Sequence, residues 1–383
     1  MNTATAIELL EKLVSFNTTS RNSNLSIIEY IEDYLADHGV QSSRVPDETG
    51  LKSSLFATIG PVGVAGVGLS GHTDVVPVDG QNWQTDPFKL TEKGGKLYGR
   101  GTCDMKGFLA CAMAMVPDLK RRPLKVPIHL VFSYDEEVGC IGVRPMIGEF
   151  GDRLVKPRMA IVGEPTGMGV VDAHKGPARW SVTLTGKPVH SSMAHQGVNT
   201  ISAAGELLAE LALMEAELKK APYDERFDPP YTTLQVTEIR GGAASNIVPE
   251  KTWFGWEIRG LPGVDPNVIE TRFRRKAEAV AARMQERAPE SNIEIVCWNA
   301  VPAFAADPAS EVLSLALKLT EQNETLAVSY ATEASLFHAA GVPTVICGPG
   351  DIAQAHTPNE WVAVSEIDKC MKFMGKLADW AAA

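Results

Sequence analysis

The stretch that most constrains the fold is residues 128–139, IHLVFSYDEEVG. Its opening run, Ile128-His129-Leu130-Val131-Phe132, is of the kind that becomes a strand covered on both faces of a sheet. The run opens directly onto three consecutive acids, Asp135, Glu136 and Glu137, and then Gly139. Carboxylates at the end of a core strand cost stability, because partial burial disfavours their charged form. A positive charge must compensate them, and a metal ion is the strongest local candidate. The plain alternative is a solvated acidic turn.

The flanking chain repeats the theme. Residues 55–59 and 64–70 read as strands separated by Gly60-Pro61, and residues 159–162 as a short apolar strand ending at Gly163-Glu164. Helices alternate with them. One begins the chain, with Thr5 and Glu8 at capping-box spacing; another spans 26–38, with Ser26 and Glu29 at the same spacing and Gly39 as its stop. A third runs over 106–119. Strand–helix alternation with acids at the strand ends predicts an α/β fold, a mixed, mostly parallel sheet whose site lies at its carboxyl edge.

The pattern changes near Ala178. Residues 179–185, 232–239, 252–259 and 292–298 alternate as strands, while 199–220 and 264–287 are amphipathic helices. Their order, β-α-β-β-α-β, is the ferredoxin-like signature. At 383 residues the chain exceeds one ordinary core. The expectation is a first domain over 1–177, an inserted domain over 178–299, and a return to the first over 300–383. The returning part holds a strand at 344–347, then the loop Gly348-Pro349-Gly350 and His356.

A net charge of -11 makes a nucleic-acid-binding surface a poor expectation. No apolar run approaches the ~20 residues a membrane helix needs, and the first residues carry acids without the basic region of a signal peptide. Six cysteines without a CxxC pair suggest reduced thiols and a cytoplasmic protein.

Several residues could serve a metal. Strand 67–70 leads into Gly71-His72-Thr73-Asp74, and residues two apart share a face, so Asp74 can reach the His72 ring as an orienting partner. Asp104 lies in a glycine-flanked turn that opens a helix, where it could equally be an N-cap. Glu164 follows a short strand and His356 a glycine-rich loop; alone, each reads as an ordinary loop residue. Together His72, Asp104, Glu137, Glu164 and His356 make two imidazoles and three carboxylates at predicted strand ends and site-edge loops. That mixture suits two borderline-hard cations such as zinc, with one carboxylate bridging. Glu136 adjoins a ligand but points elsewhere, as a general base would.

The segments GHTDVVP (71–77), DPFKL and GKLYGRGTCDMKG (86–107), DEEVGCIG (135–142), VGEPT (162–166), HSSMAHQGVNTI (190–201), NIVP (246–249), WEIRGLPG (256–263), TEASLF (332–337) and AHTPNE (355–360) carry a resemblance. They are similar to the dinuclear-zinc family of acetylornithine deacetylase, succinyl-diaminopimelate desuccinylase, carboxypeptidase G and aminoacylase, the acetylornithine branch above all. The resemblance implies His72, Asp104 and Glu164 as ligands of one ion and Asp104, Glu137 and His356 of the other, with zinc expected and cobalt as the alternative. It implies Asp74 orienting His72, and Glu136 moving a proton from water to the leaving amine. The inserted domain becomes a lid that also forms a homodimer, with His190 reaching the partner's site to stabilise an oxyanion.

The implied reaction is hydrolysis of an N-acyl amide, N-acetyl-L-ornithine first, with other N-acyl-amino acids or dipeptides as the alternative. Arg259 is a fork-shaped donor suited to a substrate carboxylate. Asn246 and the Gly348-Pro349-Gly350 backbone are further candidates for substrate contact. Glu333 or the acidic lid would face a substrate amine. Lys175 reads equally as structural or substrate-facing, and Cys103 stands beside Asp104 as a point of oxidation sensitivity. A protein that kept the fold as a binding scaffold would be expected to have lost Glu136 or a ligand, and none is missing.

Overall fold

Four strands lie side by side and parallel in the computed structural model, which describes residues 3–383: Ile128–Ser133, Val67–His72, Met159–Pro165 and Thr344–Gly348. Every residue of all four is buried. This is why they read as continuous apolar runs and not as alternating ones. Ser53–Ile59 adds antiparallel to Ile128–Ser133, and Ser42–Pro46 adds antiparallel to Ser53–Ile59. The α/β class with a mostly parallel sheet is therefore as expected.

The helix Lys106–Ala114 packs across Val67–His72 and Met159–Pro165. A Cβ added at Gly163 would stand 2.0 Å from the Phe108 ring, so glycine lets helix and strand approach here. The expected helix over 106–119 is in fact two, Lys106–Ala114 and Val116–Arg121, broken at Met115 where Pro117 can donate no backbone hydrogen bond.

Neither capping box forms. The helix Thr3–Val14 is already under way at the first described residue, so Thr5 lies inside it; Met1 and Asn2 lie outside the described residues. The helix Leu25–Asp37 starts one residue before Ser26. Its N-cap, Asn24, spends its side chain on Ser53 and Thr73. The spacing was right for a cap, but tertiary partners outbid the local ones. Gly39 does stop this helix, at φ 67°.

The chain divides into two compact units, one of Met1–Ala173, Ala305–Leu326 and Thr332–Ala383, the other of His174–Phe304 with Ala327–Ala331. In the second, the strands Thr233–Gly241, Lys251–Gly260, Gly176–Thr185 and Asn292–Ala300 form an antiparallel sheet in that spatial order. The helices Thr200–Leu218 and Pro266–Arg287 complete the β-α-β-β-α-β order. Both begin as their sequences dictate. Asn199 accepts from the N–H groups of Ile201 and Ser202, and Asp265 caps the helix that Pro266 opens. Along Gly176–Thr185, Ala178, Trp180, Val182 and Leu184 alternate into the core, where Trp180 stacks on Trp256 at 4.1 Å between ring centres. Among the described residues no helix is long and apolar enough to cross a membrane, and all six cysteines are free.

Candidate metal centre

Three of the parallel strands run level, because Val67 pairs in register with both Ile128 and Met159. His72 ends one strand, and Glu164 lies two residues past Val162, the partner of Ser70. The pleat therefore sends both side chains to one side of the sheet edge, and His72 Nε2 lies 3.8 Å from Glu164 Oε1.

The acidic run after Ser133 is divided by a turn. Asp135 takes φ 53°, in the left-handed region, and the Gly142 N–H closes the turn on the Tyr134 carbonyl at 3.0 Å. Asp135 thereby faces Lys52, whose Nζ is 2.6 Å from each of its oxygens. One of the three acids is neutralised within the fold; Glu136 and Glu137 are left for the site.

Asp104 is not spent as a helix cap. The helix after it takes Met105 as its N-cap and has no side-chain cap bond, and the Asp104–Met105 peptide is cis. Asp104 Oδ1 lies 3.0 Å from His72 Nε2, and its Oδ2 lies 3.1 Å from His356 Nε2. His356 Nε2 is also 3.0 Å from Glu137 Oε2. The five sequence-derived ligand candidates thus form one line, Glu164–His72–Asp104–His356–Glu137, with Asp104 at the centre. Donor atoms of His72, Asp104 and Glu137 all fall within 4.8 Å of one another, as do those of His72, Glu136 and Glu164.

Asp74 does more than the sequence suggested. The nearer acceptor to His72 Nδ1 is the Asp74 main-chain carbonyl, at 2.9 Å, with the carboxylate Oδ1 at 3.4 Å. The carboxylate accepts from Ser20 Oγ at 2.7 Å and from the N–H groups of Glu136 and Glu137 at 3.1 and 3.3 Å. One residue therefore orients the imidazole and holds the backbone of both acids.

As side chains alone, these groups are electrostatically crowded. Burial, with Asp104 nearby, pushes Glu137 up to about 7. Burial also carries Glu164 and Glu136 well above the carboxylate range, with neighbouring carboxylates adding to it against the pull of His72. Hydrogen bonds to Asp104 and Glu137 push His356 up to about 11. Glu137 Oε1 is buried without a hydrogen-bond partner among the described residues. Hard oxygen donors in excess, two imidazoles, and an orphaned carboxylate oxygen fit divalent cations.

Glu333 is not available to a substrate amine. It is 1% exposed, and its oxygens accept from Ser133 Oγ at 2.5 Å and Ser70 Oγ at 3.2 Å beneath the strands. Burial pushes it up to about 7. The Cys103 thiol is 1% exposed, donates to the Asp351 carbonyl at 3.3 Å, and is held above its usual range by burial; as a thiol it is a poor target for oxidation. At Gly348 a Cβ would meet the Gly163 carbonyl at 1.9 Å, so glycine lets this strand close on the one bearing Glu164. The Gly348 N–H goes to Thr166 Oγ1 at 3.2 Å, and its carbonyl accepts from the Met168 N–H at 2.9 Å.

His190, Asn246 and Arg259 belong to the second unit. His190 bridges to Ile247, and the Ser191 N–H donates to the Asn246 carbonyl at 2.9 Å, so His190 and Asn246 are neighbours on its exposed surface. His190 Nδ1 faces Ser192 Oγ at 2.9 Å and accepts from the Ser192 N–H at 3.3 Å, so the ring is held through that nitrogen. Arg259 contacts the Ser329 carbonyl at 3.4 Å and Glu257 at 3.6 Å, and is about one third exposed. Lys175 is structural: its Nζ ties the Pro229 and Tyr231 carbonyls at 2.7 Å each.

Ser20, Gln81, Arg100 and Glu360 belong to none of the candidate sets that the sequence suggests. The signal available was an arginine held between two glycines at 99–101 and a glutamate four residues after His356.

With this geometry in hand, comparisons place the chain among known proteins. Residues 68–380 match the profile of Peptidase family M20/M25/M40. An acetylornithine deacetylase of Myxococcus xanthus is 37% identical over 366 residues, which cover 94% of this chain and 93% of that one. The crystal structure of an M20 family metallo-carboxypeptidase from Sulfolobus solfataricus superposes with a TM-score of 0.77 at 19% identity, covering 98% of this chain and 99% of that one. A dinuclear metal binding peptidase of the M20 family from Bacillus subtilis does so with a TM-score of 0.67 at 15% identity, covering 98% of each chain.

Proposed function

Because this chain belongs to the M20/M25/M40 peptidase family, and so to the metal-dependent amide hydrolases, we propose that it removes the acetyl group from N-acetyl-L-ornithine, releasing L-ornithine and acetate. The observation that carries the site reading is Asp104, whose two oxygens face one imidazole each at 3.0 and 3.1 Å, with a further carboxylate beyond each ring. His72, Asp104 and Glu164 would hold one divalent ion, and Asp104, Glu137 and His356 the other. Zinc is our assignment, with cobalt as the alternative. Such ions polarise an acyl carbonyl and lower the pKa of water toward ~7.

The side chains then divide the work. Glu136, whose pKa is raised by burial, takes the proton from the attacking water and returns it to the leaving amine. Asp74 keeps Glu136 in place through its backbone N–H. His190, held through Nδ1 by Ser192, supplies its Nε2–H to the oxyanion. Arg259 and Asn246 take the substrate carboxylate, and the backbone at Gly348 lines the site. We assign residues 178–299 as the lid and homodimer interface through which His190 serves the partner's centre. The reaction belongs, on this reading, to arginine biosynthesis in the cytoplasm.

The acetylornithine assignment is supported by the Myxococcus xanthus relative, similar over nearly the full length of both chains. The test is turnover of N-acetyl-L-ornithine by zinc- or cobalt-loaded protein, beside a panel of other N-acyl-amino acids and dipeptides. Preference for N-acetyl-L-ornithine is expected. Cleavage of other acyl-amino acids with none of this substrate would overturn the substrate and leave the site standing.

A further inference from the structure

Glu360 and Arg100 are each 1% exposed, and they pair at 2.6 Å between Glu360 Oε2 and Arg100 Nη1. The remaining lone pairs of the carboxylate are also taken. Its Oε1 accepts from the N–H groups of Cys103 and Asp104 at 2.9 and 3.1 Å, and its Oε2 from the Gly101 N–H at 3.1 Å. Its main-chain carbonyl accepts from the Gly99 N–H at 3.0 Å. One glutamate thus gathers most of the backbone donors of the loop that presents Asp104. A carboxylate accepts only, and here it meets donors alone.

The network continues to the other imidazole. Arg100 Nη2 donates to Gln81 Oε1 at 2.6 Å, and Trp83 Nε1 donates to the same oxygen at 2.9 Å. These bonds fix the amide, so that Gln81 Nε2 donates to the His356 carbonyl at 3.0 Å. His356 needs such support. It sits at φ 61°, a left-handed conformation that costs a residue with a Cβ about 1 kcal/mol or more. One hydrogen-bond path therefore joins the Asp104 backbone to the His356 backbone.

We propose that Glu360, Arg100 and Gln81 are positioning residues that set metal affinity, with Glu360 acting on both ions through Asp104 and Gln81 on the ion of His356 alone. The inference rests on the two-ion reading of the site. None of the three residues is a ligand; each acts by fixing where a ligand's backbone stands. Outer partners of this kind typically alter metal affinity by about 10–100-fold.

The experiment is a titration of metal-stripped protein with zinc, followed by competition with a chromogenic chelator, so that the readout is binding and not turnover. The wild type is expected to bind two ions in resolvable phases. In Glu360→Gln an amide NH2 faces either Arg100 and the Gly101 N–H or the N–H groups of Cys103 and Asp104, so both phases weaken at least ~10-fold. Gln81→Ala and Gln81→Glu are expected to weaken one phase and spare the other. Gln81→Glu keeps an acceptor for Arg100 but loses the donor to His356, so its loss isolates that single bond. Should Glu360→Gln fail to fold, the half-buried Gln81 pair decides. Wild-type affinity for both ions in folded Glu360→Gln and in both Gln81 variants overturns the inference and leaves the two-ion site intact. A wild type that binds fewer than two ions overturns the site reading beneath it.

Discussion

At the sheet edge of the first unit, His72, Asp74, Asp104, Glu164 and Glu360 are each 5% exposed or less. Inside the second unit the deepest positions hold Trp180, Phe254, Trp256 and Phe273, each 1% exposed or less, and His190 and Asn246, to which we assign chemistry, lie on the surface. Burial opposes folding in the first case, since each charged group must be given a partner. In the second it drives folding. Function in the first unit is bound up with stability; in the second the two are separable.

The sharpest test of that contrast is Glu136→Gln. With the proposed general base removed, kcat is expected to fall about 10³-fold while zinc content holds. Because Glu136 is raised by burial and by the carboxylates of Glu137, Glu333 and Asp104, the stripped variant is expected to melt no lower than the wild type. A large loss of melting temperature would contradict the picture of a residue kept at a cost. Trp256→Ala is the mirror experiment. Truncating a ring stacked at 4.1 Å on Trp180 and packed on Phe273 should cost about 3–5 kcal/mol in denaturant unfolding. Zinc stoichiometry of the folded fraction should stay unchanged.

His190→Ala separates the two properties within the second unit. Turnover is expected to drop roughly 10²–10³-fold with no shift in thermal unfolding, the residue being exposed. Mixed dimers with Glu136→Gln should regain part of the activity; no regain means that His190 serves its own chain. The smallest effect concerns His129, a buried imidazole that accepts from the Gly66 N–H at 2.9 Å and meets Thr58. Burial pulls its pKa down to about 4. Between that value and ~6.5 the unfolded chain binds a proton that the folded one does not. Its contribution is therefore complete above ~6.5 and lost as pH falls toward the folded pKa, by roughly 3 kcal/mol at most. His129→Gln should flatten that part of a melting-temperature profile, and an unchanged slope would place the acid sensitivity elsewhere.

The sheet and the second unit's element order were legible in the sequence for a common reason: each is written in local pattern, as continuous apolar runs or as alternation. His72, Glu137 and Glu164 stand out where a run stops, whereas Asp104 lies in a glycine-flanked turn and His356 after a glycine-rich loop. Alone, those two read as an N-cap and an ordinary loop residue. What was not legible is where a side chain finds a partner far along the chain. Asp135 looked equivalent to Glu136 and Glu137 until Lys52 claimed it. The helix expected to be capped by Ser26 takes Asn24 as its N-cap, and the Asn24 side chain bonds Ser53 and Thr73 instead of the helix. Glu333 read as an anion open to substrate, yet it is shut under two strands by Ser70 and Ser133. Glu360 and Arg100 are 260 residues apart in sequence, and no spacing rule links them. Short strands such as Lys96–Tyr98 and Trp361–Ala363 were likewise silent, because three residues carry no period.

The raised pKa values of Glu137, Glu164 and His356 have a consequence for how the protein loads. On the two-ion reading, a ligand atom that carries a proton near neutrality must give it up when a cation arrives, so loading would be an exchange reaction and not a simple addition. Saturation should release acid into a weakly buffered solution, and the released amount should shrink as the starting pH rises through about 7, where Glu137 has already let go. By mass action the same protein then becomes a poorer scavenger of metal in an acidified medium than in a neutral one. A drop in ambient pH would idle it by emptying the centre.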